Sequence, residues 1–94
     1  MLLAIDIGNT QTVIGLFYND TLARSWRMVT PRHETADEIA SNIYNFLRNS
    51  DYDPGNITEI AISCVVPGIL LELNRMCDSY FKIRPFIVDI DVKT

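Results

Sequence analysis

The apolar residues of this 94-residue chain change their spacing at Thr30-Pro31, and that change restricts what it can fold into. Before it, apolar and β-branched residues come in short runs of strand length. After it, they recur every three or four positions, as on one face of a helix. Residues 2–7 (LLAIDI) read as a first strand, β1, and residues 12–18 (TVIGLFY) as a second, β2. The gap between them is short enough to predict an antiparallel hairpin. Asn19-Asp20 then offers a two-residue turn, because both residue types tolerate positive φ. Residues 21–29 (TLARSWRMV) read as β3. Their alternation puts Leu22, Arg24, Trp26 and Met28 on one face and Ala23, Ser25 and Arg27 on the other.

Beyond Pro31 the helix signals accumulate. Thr35 and Glu38 form a capping-box pair, so a helix, α1, should begin there and stop near Asn49. Ile39, Ile43, Phe46 and Leu47 make its apolar stripe. The turn-rich stretch from Asn49 to Asn56 separates it from residues 58–66 (TEIAISCVV), a continuously apolar run. Such a run predicts a parallel strand, β4, covered on both faces. Pro67-Gly68 opens a second helix, α2, running to about Tyr80, with Ile69, Leu73, Met76, Cys77 and Tyr80 as its buried stripe. Phe86-Ile87-Val88 begins a last strand, β5, extending towards Ile90 or Val92. The order β1-β2-β3-α1-β4-α2-β5 is that of an α/β, ribonuclease H-like domain. Right-handed crossovers predict the sheet order 3-2-1-4-5. The carboxyl ends of β1 and β4 are then neighbours, the usual ligand position in open α/β sheets.

Composition narrows the function. With 48% hydrophobic and 21% charged residues, the chain has the makings of a packed core. A net charge of −4, with no run of Lys and Arg, argues against a nucleic-acid partner. No apolar run approaches the ~20 residues needed to span a bilayer, and Asp6 interrupts the first one too early for a signal peptide. No membrane partner is expected, and the cytoplasm is the expected compartment. Cys64 and Cys77 lack metal-binding spacing and read as reduced core thiols.

One feature breaks the strand pattern. Asp6 is a carboxylate within an apolar strand, and Gly8, Asn9, Thr10, Gln11 and Thr12 follow almost at once. Strands are poor in Asp, and an unpaired buried charge is costly. Consecutive backbone N–H groups in such a turn can form a concavity for phosphate oxygens. A carboxylate beside them suits that purpose if a divalent cation lies between, which makes Asp6 a candidate Mg²⁺ ligand. The alternative is a strand-end Asp capping its own turn, with Gly8 supplying positive φ.

Three ordered segments resemble one family. DIGNTQTVIGLF (6–17) is similar to the first phosphate motif of the type III pantothenate kinases. SWRMVTPRHETADE (25–38) is similar to that family's passage from its third strand into its first helix, and AISCVVP (61–67) resembles the segment closing its fourth strand. The family belongs with acetate kinase, the sugar kinases, the heat-shock chaperones and actin. The resemblance implies that Asp6, Ile7, Gly8, Asn9, Thr10, Gln11, Thr12 and Val13 bind ATP phosphates, with Asp6 holding Mg²⁺. It implies phosphorylation of pantothenate by ATP, the committed step to coenzyme A. It also implies dependence on a monovalent cation (K⁺ or NH₄⁺) and a homodimer with pantothenate near its interface.

The resemblance further implies a duplicated fold, of which residues 1–94 are the N-terminal ribonuclease H-like half and whose second half is absent. The family's Gly-x-Asp-Arg segment, carrying its general base, and its later Asp-x-Gly-Thr segment are missing; Asp89 and Asp91 match neither. No catalytic residue is identifiable, and little or no kinase activity is expected of the chain alone. A non-catalytic accessory or nucleotide-binding member of the same family is the alternative. A ribonuclease H-type nuclease would need carboxylates converging on Asp6. Glu38 or Asp37 could serve from the helix, but the end of β4 offers none. His33 reads as a surface loop residue and Trp26 as packing. Arg24, Arg27 and Arg32 are either solvated charges or a cluster for an anion. Ser63 either bonds near the β1 turn or is satisfied within its strand.

Overall fold

The computed structural model describes residues 1–88. It contains β1 (Leu2–Ile7), β2 (Gln11–Tyr18), β3 (Thr21–Val29), α1 (Ala36–Asn49), β4 (Glu59–Cys64), α2 (Leu70–Met76) and β5 (Phe86–Val88). The five strands form one sheet in the order β3-β2-β1-β4-β5, the ribonuclease H-like arrangement. The β1–β2 and β2–β3 pairs are antiparallel, and β1–β4 and β4–β5 are parallel. The expected extension of β5 towards Ile90 or Val92, and Asp89 and Asp91, lie outside the described residues.

The core lies on one face of this sheet. Leu3, Ile5 and Ile7 alternate inward along β1, and Ile14, Leu16, Ile60 and Ile62 do so on its two neighbours. They meet Ile39, Ile43 and Leu47 of α1 and Leu73 and Met76 of α2. Burying each such side chain contributes about 1.5–3 kcal/mol. The capping box starts α1 as its sequence dictates: the Thr35 hydroxyl accepts the Glu38 N–H at 3.2 Å, and Glu38 Oε1 accepts the Thr35 N–H at 2.8 Å. Glu72 of α2 accepts the Ala36 N–H at 2.8 Å and so ties the two helices together at that end. Trp26 packs as expected, stacked on Phe46 at 5.9 Å, edge-on to Tyr52 at 6.5 Å, and donating to Ser50 Oγ at 3.3 Å.

Away from the β1–β2 tip, four differences from the sequence reading stand out. In β3, Arg24 opposes Leu16 but Leu22 opposes Phe17, so Ala23 is an extra residue in a β-bulge. The bulge reverses the phase of the strand, and Leu22 lies on the face opposite Arg24, Trp26 and Met28, beside Gly15. In β4, only Ile60 and Ile62 are fully buried, because both helices lie on their side; Ala61 and Ser63 face the other way and are half-buried. In the turn after β2, Asn19 alone is left-handed, with φ of 56°.

The fourth difference is at the end of α2. The chain from Cys77 to Phe81 widens into a π-turn and ends at left-handed Lys82, whose N–H donates to Cys77 O. The wider turn delays the rotation of the following residues, so Tyr80 leaves the buried stripe and Phe81 packs against the core instead. Tyr80 is exposed and donates to Asp37 at 2.6 Å, which raises its phenol pKa.

Candidate functional site

Antiparallel pairing of β1 with β2 puts Ile7 opposite Thr12, so residues 8–11 form the whole hairpin tip. Each of the tip's four carbonyls has a donor. Thr30 Oγ1 donates to Gly8 O at 2.7 Å, and the Thr30 N–H donates to Thr10 O at 3.0 Å. Arg32 donates to Asn9 O at 2.7 Å, and the Gly8 N–H closes the turn on Gln11 O at 3.0 Å. None of these bonds uses the Asn9 or Thr10 amide. In a planar trans peptide the C=O and the next N–H point opposite ways. With the Gly8 carbonyl held by Thr30 and the Asn9 carbonyl by the exposed Arg32 side chain, the Asn9 and Thr10 N–H groups are directed away from those two donors. Consecutive amides so directed are the elements of an anion-binding concavity.

Glycine is needed at position 8 for space. A Cβ there would stand 2.8 Å from Gln11 O. The positive φ anticipated for Gly8 is not found, since no described glycine has one. Asp6 precedes the tip on the face opposite the helices, between Val13 and Ser63 of the flanking strands. Its carboxylate is exposed and takes no part in the bonds that hold the turn. The cost of burying a charge in a strand does not arise, because β1 presents Asp6 to the side the helices leave uncovered.

The sequence candidates fall into two groups. Asp6, Gly8, Asn9, Thr10 and Gln11 come together at the carboxyl end of β1, and Ile7 opposes Cys64 of β4 there as expected. Ile7 and Thr12, however, point into the core, and Val13 is half-buried behind Asp6. Two of the three arginines reach the tip: Arg32 at Asn9, and Arg27, which donates to Gln11 Oε1 at 3.2 Å. Arg24 lies far along β3, opposite Leu16. His33 is exposed in the turn before α1. Glu38 is committed to the capping box and Asp37 to Tyr80. Among the described residues no three His, Cys, Asp or Glu side chains are grouped to hold a metal.

Thr30 was not among the candidates. Its signal lay in the alternation: it continues the inward positions of Trp26 and Met28, just as Thr12 begins those of Ile14 and Leu16. Two inward hydroxyls at the same end of adjacent strands must satisfy each other or the backbone. They do both, with Thr12 and Thr30 Oγ1 3.0 Å apart. The cysteines are free thiols; burial pushes Cys77 up to about 12, and half-buried Cys64 donates to Val66 O at 3.0 Å. No helix among the described residues is long and apolar enough to cross a membrane.

Comparison with known proteins gives the site its context. The family model for type III pantothenate kinase matches residues 2–94. A type III pantothenate kinase of Listeria innocua serovar 6a is 44% identical over the whole chain, which covers 36% of that relative. Those of Bacillus cytotoxicus and Syntrophus aciditrophicus are each 43% identical over the whole chain, which covers 36% and 37% of them. The chain thus spans little more than a third of the length of the curated relatives it matches. Among solved structures, an Aquifex aeolicus member of the Ppx/GppA family aligns with 93% of this chain and 34% of its own, at a TM-score of 0.47 and 10% identity. On the family match and the identities, the chain belongs to the type III pantothenate kinase family.

Proposed function

We propose that this chain supplies the ATP phosphate-binding loop of a pantothenate kinase. The reaction passes the γ-phosphoryl group of ATP to the primary hydroxyl of pantothenate, giving 4′-phosphopantothenate for coenzyme A synthesis. One observation carries the reading. Every carbonyl of the 8–11 tip has a donor, which by peptide planarity directs the Asn9 and Thr10 amides away from Thr30 and Arg32, and the exposed carboxylate of Asp6 precedes the tip.

In this reading these amides receive phosphate oxygens, and Thr10 and Gln11 add polar side chains at the same edge. Asp6 would hold Mg²⁺. The donor set fits, since Mg²⁺ is commonly bound by one or two carboxylates together with substrate phosphates and water. When bound, the ion offsets phosphate charge, the main requirement of phosphoryl transfer besides positioning. The chain's own residues position the phosphates: Thr30 and Arg32 hold the tip's peptide planes, and Arg27 and Arg32 add positive charge beside it.

In this reading the kinase also uses a general base, a monovalent cation (K⁺ or NH₄⁺), a pantothenate pocket and a homodimer contact, none of which is assigned to a residue of this chain. We expect the 94-residue chain alone to bind Mg-ATP and to show little or no transfer. Calorimetric titration with Mg-ATP, with Asp6→Asn as control, tests the loop. Losing one charge-assisted contact should weaken binding roughly ten- to hundredfold. Equal signals from the two proteins would remove Asp6 from the site. Transfer to pantothenate by a longer chain carrying the missing segments, and not by this one, would support the half-enzyme reading. No transfer by either would favour a non-catalytic nucleotide-binding relative.

A further inference from the structure

Thr30 meets the hairpin tip twice, through its N–H at Thr10 O and through its hydroxyl at Gly8 O. A hydroxyl carries one proton. The 2.7 Å contact to a carbonyl requires that proton, so in the 3.0 Å contact with Thr12 the Thr30 oxygen must accept. The direction of the chain is thereby fixed: Thr12 Oγ1–H to Thr30 Oγ1–H to Gly8 O. Both threonines are buried, at 1% and 5% exposure, so water does not readily replace either bond.

We propose that Thr30 is the positioning residue of the phosphate loop, its hydroxyl setting the Gly8–Asn9 peptide plane so that the Asn9 N–H faces the ligand. The inference rests on the phosphate-site reading given above and adds a residue outside the loop itself. Planarity makes the connection: Gly8 O pulled towards Thr30 leaves the Asn9 N–H directed away from it. The second bond, from the Thr30 N–H, orients the Thr10–Gln11 peptide in the same manner. Pro31 keeps Thr30 extended, since the residue before proline avoids the helical region, and so holds both donors at the tip. Thr12 stands one bond further back. It orients the Thr30 hydroxyl and does not touch the loop carbonyl.

That difference in place supplies the test. Thr30→Val and Thr12→Val each delete one buried hydroxyl with little change of shape, and Thr30→Ala is a second hydroxyl deletion should valine not be accommodated. In the free 94-residue chain, ¹⁵N relaxation should give Asn9 an order parameter near that of rigid backbone, about 0.85. Thr30→Val should lower it below about 0.6, while Thr12→Val and Thr30→Ser keep it near the native value. With Mg-ATP, Thr30→Val should lose at least about tenfold in affinity, Thr12→Val less than about threefold, and Thr30→Ser should recover most of the loss. Unchanged order at Asn9 in Thr30→Val, or equal effects from the two valines, would overturn the proposal and leave the pair as packing. If the native chain binds no Mg-ATP, the phosphate-site reading falls, and the order parameters alone decide whether Thr30 sets the loop.

Discussion

Replacing Gly8 by alanine tests whether the hairpin tip has room for a side chain. The new Cβ would lie 2.8 Å from Gln11 O, whereas carbon–oxygen contacts ordinarily begin at about 3.3 Å. The obstructing atom is backbone, and it also accepts the Gly8 N–H at 3.0 Å, so relief requires the turn to open. Losing that bond costs about 1 kcal/mol, and readjusting packed neighbours adds about 1–3 kcal/mol. A total of roughly 2–4 kcal/mol lowers the melting temperature of a chain this size by roughly 10–30 °C. Thermal unfolding followed by circular dichroism measures it. Gly68→Ala is the matched control, because a Cβ there meets nothing within 4 Å and no described glycine has positive φ. That variant should melt at or slightly above the native temperature, by up to about 1 kcal/mol of stabilisation. If Gly8→Ala melts within a few degrees of Gly68→Ala, the close-approach reasoning is wrong.

Thr35→Ala removes the hydroxyl half of the capping box and should cost about 1 kcal/mol, read as a lower urea midpoint at unchanged slope. Cys77, raised from 9.0 to about 12 by burial, keeps its proton in the folded state where the unfolded chain loses it. Stability is therefore unaffected below pH 9 and falls above it, by about 2 kcal/mol at pH 10.5; Cys77→Ala should show less alkaline loss when each protein is compared with its own pH 8 value. The sheet face opposite the helices carries Leu22 and Phe86 at 52% and 70% exposure, so the isolated chain should self-associate with rising concentration. Leu22→Asp with Phe86→Asp should abolish that association in light scattering, and a native chain that stays monomeric at high concentration would contradict it.

The fold was largely written in local signals. The capping box at Thr35 and Glu38, the period change after Pro31 and the spacing of Ile39, Ile43 and Leu47 act within a few residues, and each led to its element. The misplacements came from longer range. The bulge at Ala23 depends on how β3 registers against β2, and no feature of TLARSWRMV alone reports it. The uncovered side of β4 depends on which face both helices choose. The π-turn turns Tyr80 outward and brings Phe81 against the core, and the helical spacing of the sequence does not report it. At the site, Asp6 and the 8–11 tip stood out because their composition contradicts a strand. Thr30 did not, because a threonine at the end of a strand is ordinary until its partner across the sheet is known.

The central claim is that the Asn9 and Thr10 amides form a phosphate site completed by Asp6. An amide-resolved titration of the ¹⁵N-labelled chain with Mg-ATP tests it most directly. Saturable shifts should be largest at Asn9, Thr10 and Gln11, weaker at Arg32 and Ser63, and strongly reduced in Asp6→Asn. Shifts centred elsewhere, or a tip that does not respond to Mg-ATP, would contradict the account.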